Sequence, residues 1–205
     1  MAGMSDSALL LDQIIDDLAQ QGWSQRMLLS SSLTAELAAE CRTRLAEGSL
    51  TLAGVGRGAT NHVEQRIRGD RIQWLEPGQS AATDRFLAWM DELRHALNRS
   101  LYLGLEDIEC HFACYGAGAF YQRHVDRFRD DDRRTVTVVF YLNENWQPED
   151  GGQLRLYLSD TRAHDVLPEA GTLVVFMSAD WPHEVLTAHR ERLSVTGWFR
   201  RRAVL

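Results

Sequence analysis

Two hydrophobic rhythms divide the chain, and they change over near Gly104. Before that point apolar residues recur mostly at helical spacing. Leu9, Ile14 and Leu18, with their neighbours, form an amphipathic run behind the cap candidates Ser5 and Asp6. Leu33, Leu37, Cys41 and Leu45 repeat every four residues, and their run stops at Gly48. Phe86, Met90, Leu93, Leu97 and Leu101 mark one side of a third helix, roughly Ala82 to Leu103. Between the second and third runs the texture differs. Thr51–Val55 and Gln65–Leu75 read as two strands, joined by a flexible Gly-rich loop near 54–64.

Beyond Gly104 the pattern is almost wholly β. Ile108–Tyr115, Thr135–Leu142, Gln153–Leu158, Thr172–Phe176 and Arg192–Arg200 are rich in branched and aromatic residues, with turn signals between them such as Gly116–Gly118 and Glu149–Gly152. Many short strands with uneven connections predict a mainly β fold with flanking α-helices, a double-stranded β-helix or jelly roll. One domain over 1–205 is expected. Residues 1–108 would give helical support, two strands and the mobile loop; 109–205 would form the jelly-roll core.

Composition narrows the function classes. A net charge of −7, from 22 basic and 29 acidic groups, argues against a general nucleic-acid binder. No apolar stretch approaches the ~20 residues that span a bilayer. No basic segment followed by an apolar run opens the chain, so no signal peptide is expected. Cys41, Cys110 and Cys114 make no disulfide framework, and Cys110 and Cys114, four residues apart on a strand, are roughly 13 Å from one another. Core thiols in a reducing, cytoplasmic setting follow.

The candidate chemistry starts at His124-Val125-Asp126, at the end of an expected strand. Residues i and i+2 of a strand share a face, so one imidazole and one carboxylate can converge on a cation. His183, in a Trp-Pro-His turn 57 residues after Asp126, is the natural third ligand. Two histidines and a carboxylate on one side of a metal leave positions for a keto acid and dioxygen, as in non-haem iron(II) oxygenases. A closed zinc site would want four ligands, usually with thiolates. A bare H-x-D is a weak signal, because a surface His beside an Asp is common.

Arg192, nine residues beyond His183, adds weight. Alternation puts Arg192, Ser194, Thr196 and Trp198 on one face of their strand, with Leu193, Val195 and Phe199 on the other. A buried guanidinium needs an anion, either an internal acid such as Asp160 or the distal carboxylate of 2-oxoglutarate; otherwise Arg192 would sit on the rim. On the neighbouring segment Thr137, Val139 and Tyr141 share one face, and Val136, Val138, Phe140 and Leu142 the other. Thr137 and Tyr141 would then be hydroxyl donors to a ligand or ordinary strand residues. Gly54–Gly58 lacks the Lys-Ser/Thr of a phosphate loop. Arg200–Arg202 read as a solvated end. His62, His95, His111, His164 and His189 lack ligand spacing and are expected to be structural or exposed.

Taken together, HFACYGAGAFYQRHVDRFRDDDRRTVTVVFYLNENW, EDGGQLRLY and WPHEVLTAHRERLSVTGWF resemble the oxygen-sensing prolyl hydroxylases, the 2-oxoglutarate oxygenases that act on hypoxia-inducible factor in animals, and their bacterial relatives. The likeness extends upstream to IRGDRIQWLE and covers about 51–200. It implies iron(II) on His124, Asp126 and His183, and the distal carboxylate of 2-oxoglutarate on Arg192 and Tyr141. It implies that Tyr115, Tyr121, Thr137 and Leu154 line the cosubstrate and metal pocket. Trp198 would stand near a target proline and Arg134 at the mouth. Arg68 and Asp70 would brace the base of the loop near 54–64, which closes over a peptide.

The implied reaction hydroxylates C4 of a prolyl residue in a protein, consumes dioxygen, releases succinate and carbon dioxide, and uses ascorbate as a reductant. The resemblance offers elongation factor Tu as a lead for the bacterial substrate, and it implies no nucleic-acid or membrane partner. The Gly-rich loop departs from the animal enzymes, so peptide preference does not carry over. Three other readings stay open: the same chemistry on a free amino acid, another small molecule or another side chain; a non-catalytic jelly-roll module; and a zinc hydrolase, for which Glu184 is on the wrong side of its strand.

Overall fold

The computed structural model describes residues 6–28, 31–54, 64, 66–127 and 132–202. Among the described residues three α-helices flank two antiparallel sheets. The helices are α1 (Asp6–Gln21), α2 (Ser31–Ala46) and α3 (Ala81–Leu101). The strands of the larger sheet are β1 (Trp23–Met27), β2 (Thr51–Leu52), β3 (Asp70–Trp74), β4 (Leu105–Tyr115), β6 (Arg134–Tyr141), β9 (Thr172–Met177) and β11 (Arg192–Arg201), in spatial order β1-β9-β6-β11-β4-β3-β2. The smaller sheet holds β5 (Tyr121–His124), β7 (Leu154–Tyr157), β8 (Ala163–Val166) and β10 (His183–Val185), in order β5-β10-β7-β8. This is the expected helix-supported, double-sheet architecture.

Strand parity decides which core each residue joins. Val136, Val138, Phe140 and Leu142, with Leu193, Val195 and Phe199, face the helices and pack with Ile14, Phe86, Met90 and Leu93. Phe86 stacks on Phe140 with ring centroids 5.7 Å apart. Burying side chains of that size contributes roughly 1.5–3 kcal/mol each, and this layer fastens α1 and α3 to the sheet. The opposite parity, Val139, Tyr141, Val174 and Phe176, faces Leu154, Leu156 and Val166 of the smaller sheet. A side chain on that inner face must be apolar or serve a ligand.

Several boundaries differ from the expectation, for identifiable reasons. α3 is capped by the Ser80 hydroxyl, which accepts from the Thr83 N–H, and it ends where Tyr102 turns left-handed at φ 54°, before Leu103. Gln65 lies outside the described residues, and among the described residues of 66–75 only Asp70–Trp74 pairs with β4, while Arg68 makes a single bridge to Tyr121. Of Thr51–Val55, the described residues stop at Gly54, and among them Thr51–Leu52 form the strand. The first part of the chain also supplies a third strand, β1, which follows Gly22 (φ +77°) and pairs with β9 along the sheet edge. Five residues are too few for periodicity to separate them from a loop. Leu9 is half exposed, and its neighbours Leu10 and Leu11 pack against the core with buried Ile14 and Leu18. Most of the loop near 54–64 lies outside the described residues. Cys41, Cys110 and Cys114 are free, buried thiols.

Gly197 shows how tightly β11 and β4 are fitted. It pairs with Cys110, and a Cβ built there would lie 2.5 Å from Cys110 Sγ and 2.8 Å from the Glu109 carbonyl oxygen. Neither neighbour can retreat easily, because both belong to β4, which is held between β11 and β3. Gly197→Ala is expected to cost about 1–3 kcal/mol, read as a lower urea midpoint with an unchanged m-value.

Candidate metal centre and its pocket

β5 and β10 run antiparallel, and their register sets His124 directly opposite His183. β5 stops at His124. The chain then bends, leaving Val125 exposed and turning Asp126 inward to 7 % exposure. The i, i+2 parity expected of an extended H-x-D strand is therefore not what aims Asp126; the bend is. The result is convergence all the same. His124 Nε2 lies 3.5 Å from Asp126 Oδ1, and His183 Nε2 lies 3.5 Å from Asp126 Oδ2. One ligand atom from each of the three residues falls within 4.8 Å of the others.

Backbone contacts fix the tautomers. His124 Nδ1 lies 2.7 Å from the Gln122 carbonyl oxygen and His183 Nδ1 lies 2.9 Å from that of Trp181. A carbonyl can only accept, so each Nδ1 carries the proton and each Nε2 offers its lone pair to the shared centre. Burial pushes the His183 pKa down to about 4, which keeps the ring neutral as a ligand requires. Thr137 donates to Asp126 Oδ2 at 2.8 Å and lies 2.8 Å from the Ser178 hydroxyl, which orients the carboxylate. Tyr121 stacks on His124 with centroids 3.7 Å apart. Arg68 lies over Tyr121 at 4.9 Å and donates to both oxygens of fully buried Asp70, at 2.6 and 2.9 Å. That chain of contacts braces the triad from the side of β3. Two imidazole nitrogens, one carboxylate oxygen and no thiolate form a donor set that fits iron(II) with open positions.

Across the cavity sits Arg192, 1 % exposed. Its Nε donates to the Gly152 carbonyl at 2.7 Å, and its guanidinium carbon lies 5.0 Å from the Tyr115 ring and 4.9 Å from the Tyr141 ring. Gly152 (φ +67°) makes this approach possible, since a Cβ there would meet Arg192 Cδ at 3.0 Å and the Trp146 ring at 3.2 Å. Among the described residues no carboxylate pairs with Arg192, so the expected alternative of Asp160 as its partner does not arise. The Tyr141 and Ser194 hydroxyls, opposite one another in the β6–β11 register, are buried without a partner. A buried cation beside two unpartnered hydroxyls fits a carboxylate ligand.

The cavity between these groups measures about 200 Å³. Tyr115, Tyr121, Thr137 and Leu154 line it, as do Arg68, Arg134 and Trp198. Arg134 stacks on Trp198 at 3.5 Å and donates to Glu109 at 2.9 Å. Tyr141 stands behind Arg192, and Asp70 lies beneath Arg68. His111, expected to be structural or exposed, is buried in the pocket wall with Trp74 and Thr196. Its signal was available: His111 shares strand parity with Tyr115. Glu184 accepts from the Tyr157 hydroxyl at 2.5 Å, outside the cavity lining. The terminal arginines are not merely solvated: Arg200 bonds Asp107 and Glu109, Arg201 bonds Asp132, and Arg202 bonds Glu106.

Residues 110–200 match the model of the 2OG-Fe(II) oxygenase superfamily. A Pseudomonas putida prolyl-4-hydroxylase structure is 60 % identical, superposes with a TM-score of 0.84, and is matched over 94 % of this chain and 99 % of its own. The Trichoplax adhaerens prolyl hydroxylase, solved with a peptide fragment of the hypoxia-inducible factor oxygen degradation domain, is 29 % identical with a TM-score of 0.85, over 97 % of this chain and 94 % of its own. Egl nine homolog 1 of Homo sapiens is 35 % identical over 142 residues, 65 % of this chain, and the chain spans about a third of its length, 33 %. By sequence and by fold, the chain belongs to the prolyl hydroxylases of the 2OG-Fe(II) oxygenase superfamily.

Proposed function

We propose that this chain hydroxylates C4 of a prolyl residue in a protein substrate, with iron(II) and 2-oxoglutarate. The observation that carries the reading is the pairing, across one cavity, of the three-ligand cluster with a buried arginine that has no carboxylate partner among the described residues. In this reading His124, Asp126 and His183 hold iron(II), and Arg192 with Tyr141 binds the distal carboxylate of 2-oxoglutarate. Thr137 orients Asp126, while Tyr115 and Leu154 wall the cosubstrate. Iron(II) with bound 2-oxoglutarate supplies the oxidising chemistry, in which dioxygen is consumed and succinate and carbon dioxide are released.

The protein's own part is placement and exclusion of water. Trp198 and Tyr121 flank the target ring, and Arg134, stacked on Trp198, stands at the entrance. Arg68 and Asp70 hold the base of the segment that precedes β3. No side chain of the pocket is assigned as a separate acid or base. The peptide-bound Trichoplax relative supports a protein substrate, and elongation factor Tu is the first one to test. Buried free thiols accord with a reducing, cytoplasmic setting. Among the described residues no helix is long and apolar enough to cross a membrane.

The test is intact-protein mass spectrometry of a lysate incubated with active enzyme or with His124→Ala. Gain of one oxygen atom, localised to a proline and absent with the variant, is the expected result. Succinate release driven by small molecules and not by proline-containing proteins would replace this reading with the free-amino-acid one.

A further inference from the structure

The register across the larger sheet sorts the pocket into rows. Arg192 sits opposite Tyr115, and Thr196 sits opposite His111, with Trp74 beyond His111 on β3. Four residues of strand put the His111 row roughly 13 Å from the Arg192 row. The cosubstrate end and the His111 end are therefore separate parts of one cavity.

His111 has an unusual situation for a buried histidine. It is 1 % exposed and lies in the cavity wall between two indoles, with ring centroids 5.2 Å from Trp74 and 5.4 Å from Trp198. Nδ1 lies 3.0 Å from the Phe112 carbonyl oxygen, so it carries the proton. Nε2 is then a bare acceptor, and it is buried with no hydrogen-bond partner. Burial, aided by the Arg68 cation, pushes the pKa down to about 4, so the ring stays neutral. A satisfied structural histidine would have both nitrogens bonded. A pocket nitrogen left bare selects a ligand that brings a donor.

Building on the proposed function, we infer that His111 Nε2 accepts a hydrogen bond from the backbone N–H of the residue that follows the target proline. The nitrogen of a prolyl residue carries no hydrogen, so its ring brings no donor of its own. The nearest donor by covalent distance is the amide N–H immediately after it. Free proline has a carboxylate at that place, whose lone pairs would face the lone pair of Nε2. The same atom therefore favours prolyl residues inside a chain over the free amino acid, and disfavours a Pro-Pro target, in which the second nitrogen has no hydrogen. His111 is in this sense a specificity-determining residue.

The experiment is a cycle between enzyme and substrate. A pool of blocked peptides with a central proline is screened with wild-type enzyme, and the fastest sequence is remade with the amide nitrogen after proline methylated. Relative kcat/KM of the two peptides is then measured for wild type, His111→Met, His111→Phe and His111→Gln, with melting curves to show which variants fold. N-methylation should lower wild-type kcat/KM by about tenfold, the cost of leaving a buried acceptor unpaired. The penalty should fall below about twofold in the Met or Phe variant and return in Gln, whose side-chain oxygen restores an acceptor. Equal penalties in wild type and the apolar variants, or none in wild type, overturn the inference while leaving the hydroxylase reading intact. Absence of hydroxylation of any peptide by wild type overturns that reading itself.

Discussion

Asp126→Ala is expected to abolish iron(II) binding at micromolar metal and to lower turnover by more than about 100-fold, since even partners of metal ligands cost 10–100-fold when removed. Among the described residues Asp126 is the only anion in the cluster, so without it two neutral imidazoles must hold a dication unaided. Water could fill the vacated position but could not supply the charge. Thr137 and Ser178 would lose the carboxylate they orient but would keep each other. The fold should therefore survive, and a melting curve separates loss of metal from loss of structure. Anaerobic titration with iron(II) and a succinate assay make the measurement. Retention of near wild-type iron affinity would remove Asp126 from the metal centre, and with it the proposed chemistry.

The second large effect concerns Arg192→Met. In the ligand-free protein Arg192 is a buried cation held by a backbone carbonyl and two aromatic rings. Such a charge is a net cost to folding, because desolvation is not repaid by a counter-ion. A methionine of similar length should leave the ligand-free melting temperature unchanged or raise it. The diacid changes the sign. Charge-assisted bonds to its distal carboxylate are worth about 1.5–3 kcal/mol each, so losing a bidentate pair should weaken 2-oxoglutarate by about 10²–10⁴-fold. Iron(II) affinity measured without 2-oxoglutarate should change far less, because Arg192 lies across the cavity from the triad. The signature is a thermal shift: added 2-oxoglutarate stabilises wild type and not the variant. Equal loss of iron and 2-oxoglutarate would show that Arg192 acts through the architecture of the pocket and not as the anion site.

Local residue patterns carried much of the architecture and part of the site. Strand parity is a property of a few consecutive residues, so Arg192, Thr196 and Trp198 could be assigned to one face and Leu193 and Val195 to the other, and the structure keeps that division. Helical spacing located α2 and α3 for the same reason, since a period of 3.6 repeated over several turns leaves a strong signal. Residue types and spacing had already put His124, Asp126, His183 and Arg192 forward together, and the resemblance implied the same set.

What escaped was decided by partners far away in sequence. β1, β8 and β10 have five, four and three residues, too short for periodicity, and they exist because the strands beside them offer open hydrogen-bonding edges. Arg200–Arg202 acquire their carboxylates only when β11 lies beside β4 and the 132 region comes near.

By itself, then, the sequence determined which residues share a face and which chemical groups were available: an H-x-D, a distal histidine, an arginine on the inner side of a strand. Tertiary structure decided where those groups meet. The bend after His124 turns Asp126 inward, the β5–β10 register brings His183 opposite His124, and the packing around Arg192 and His111 leaves polar atoms buried without protein partners. Alternation along a strand is set by local backbone geometry, whereas pairing and desolvation depend on contacts closed only when the whole chain is folded.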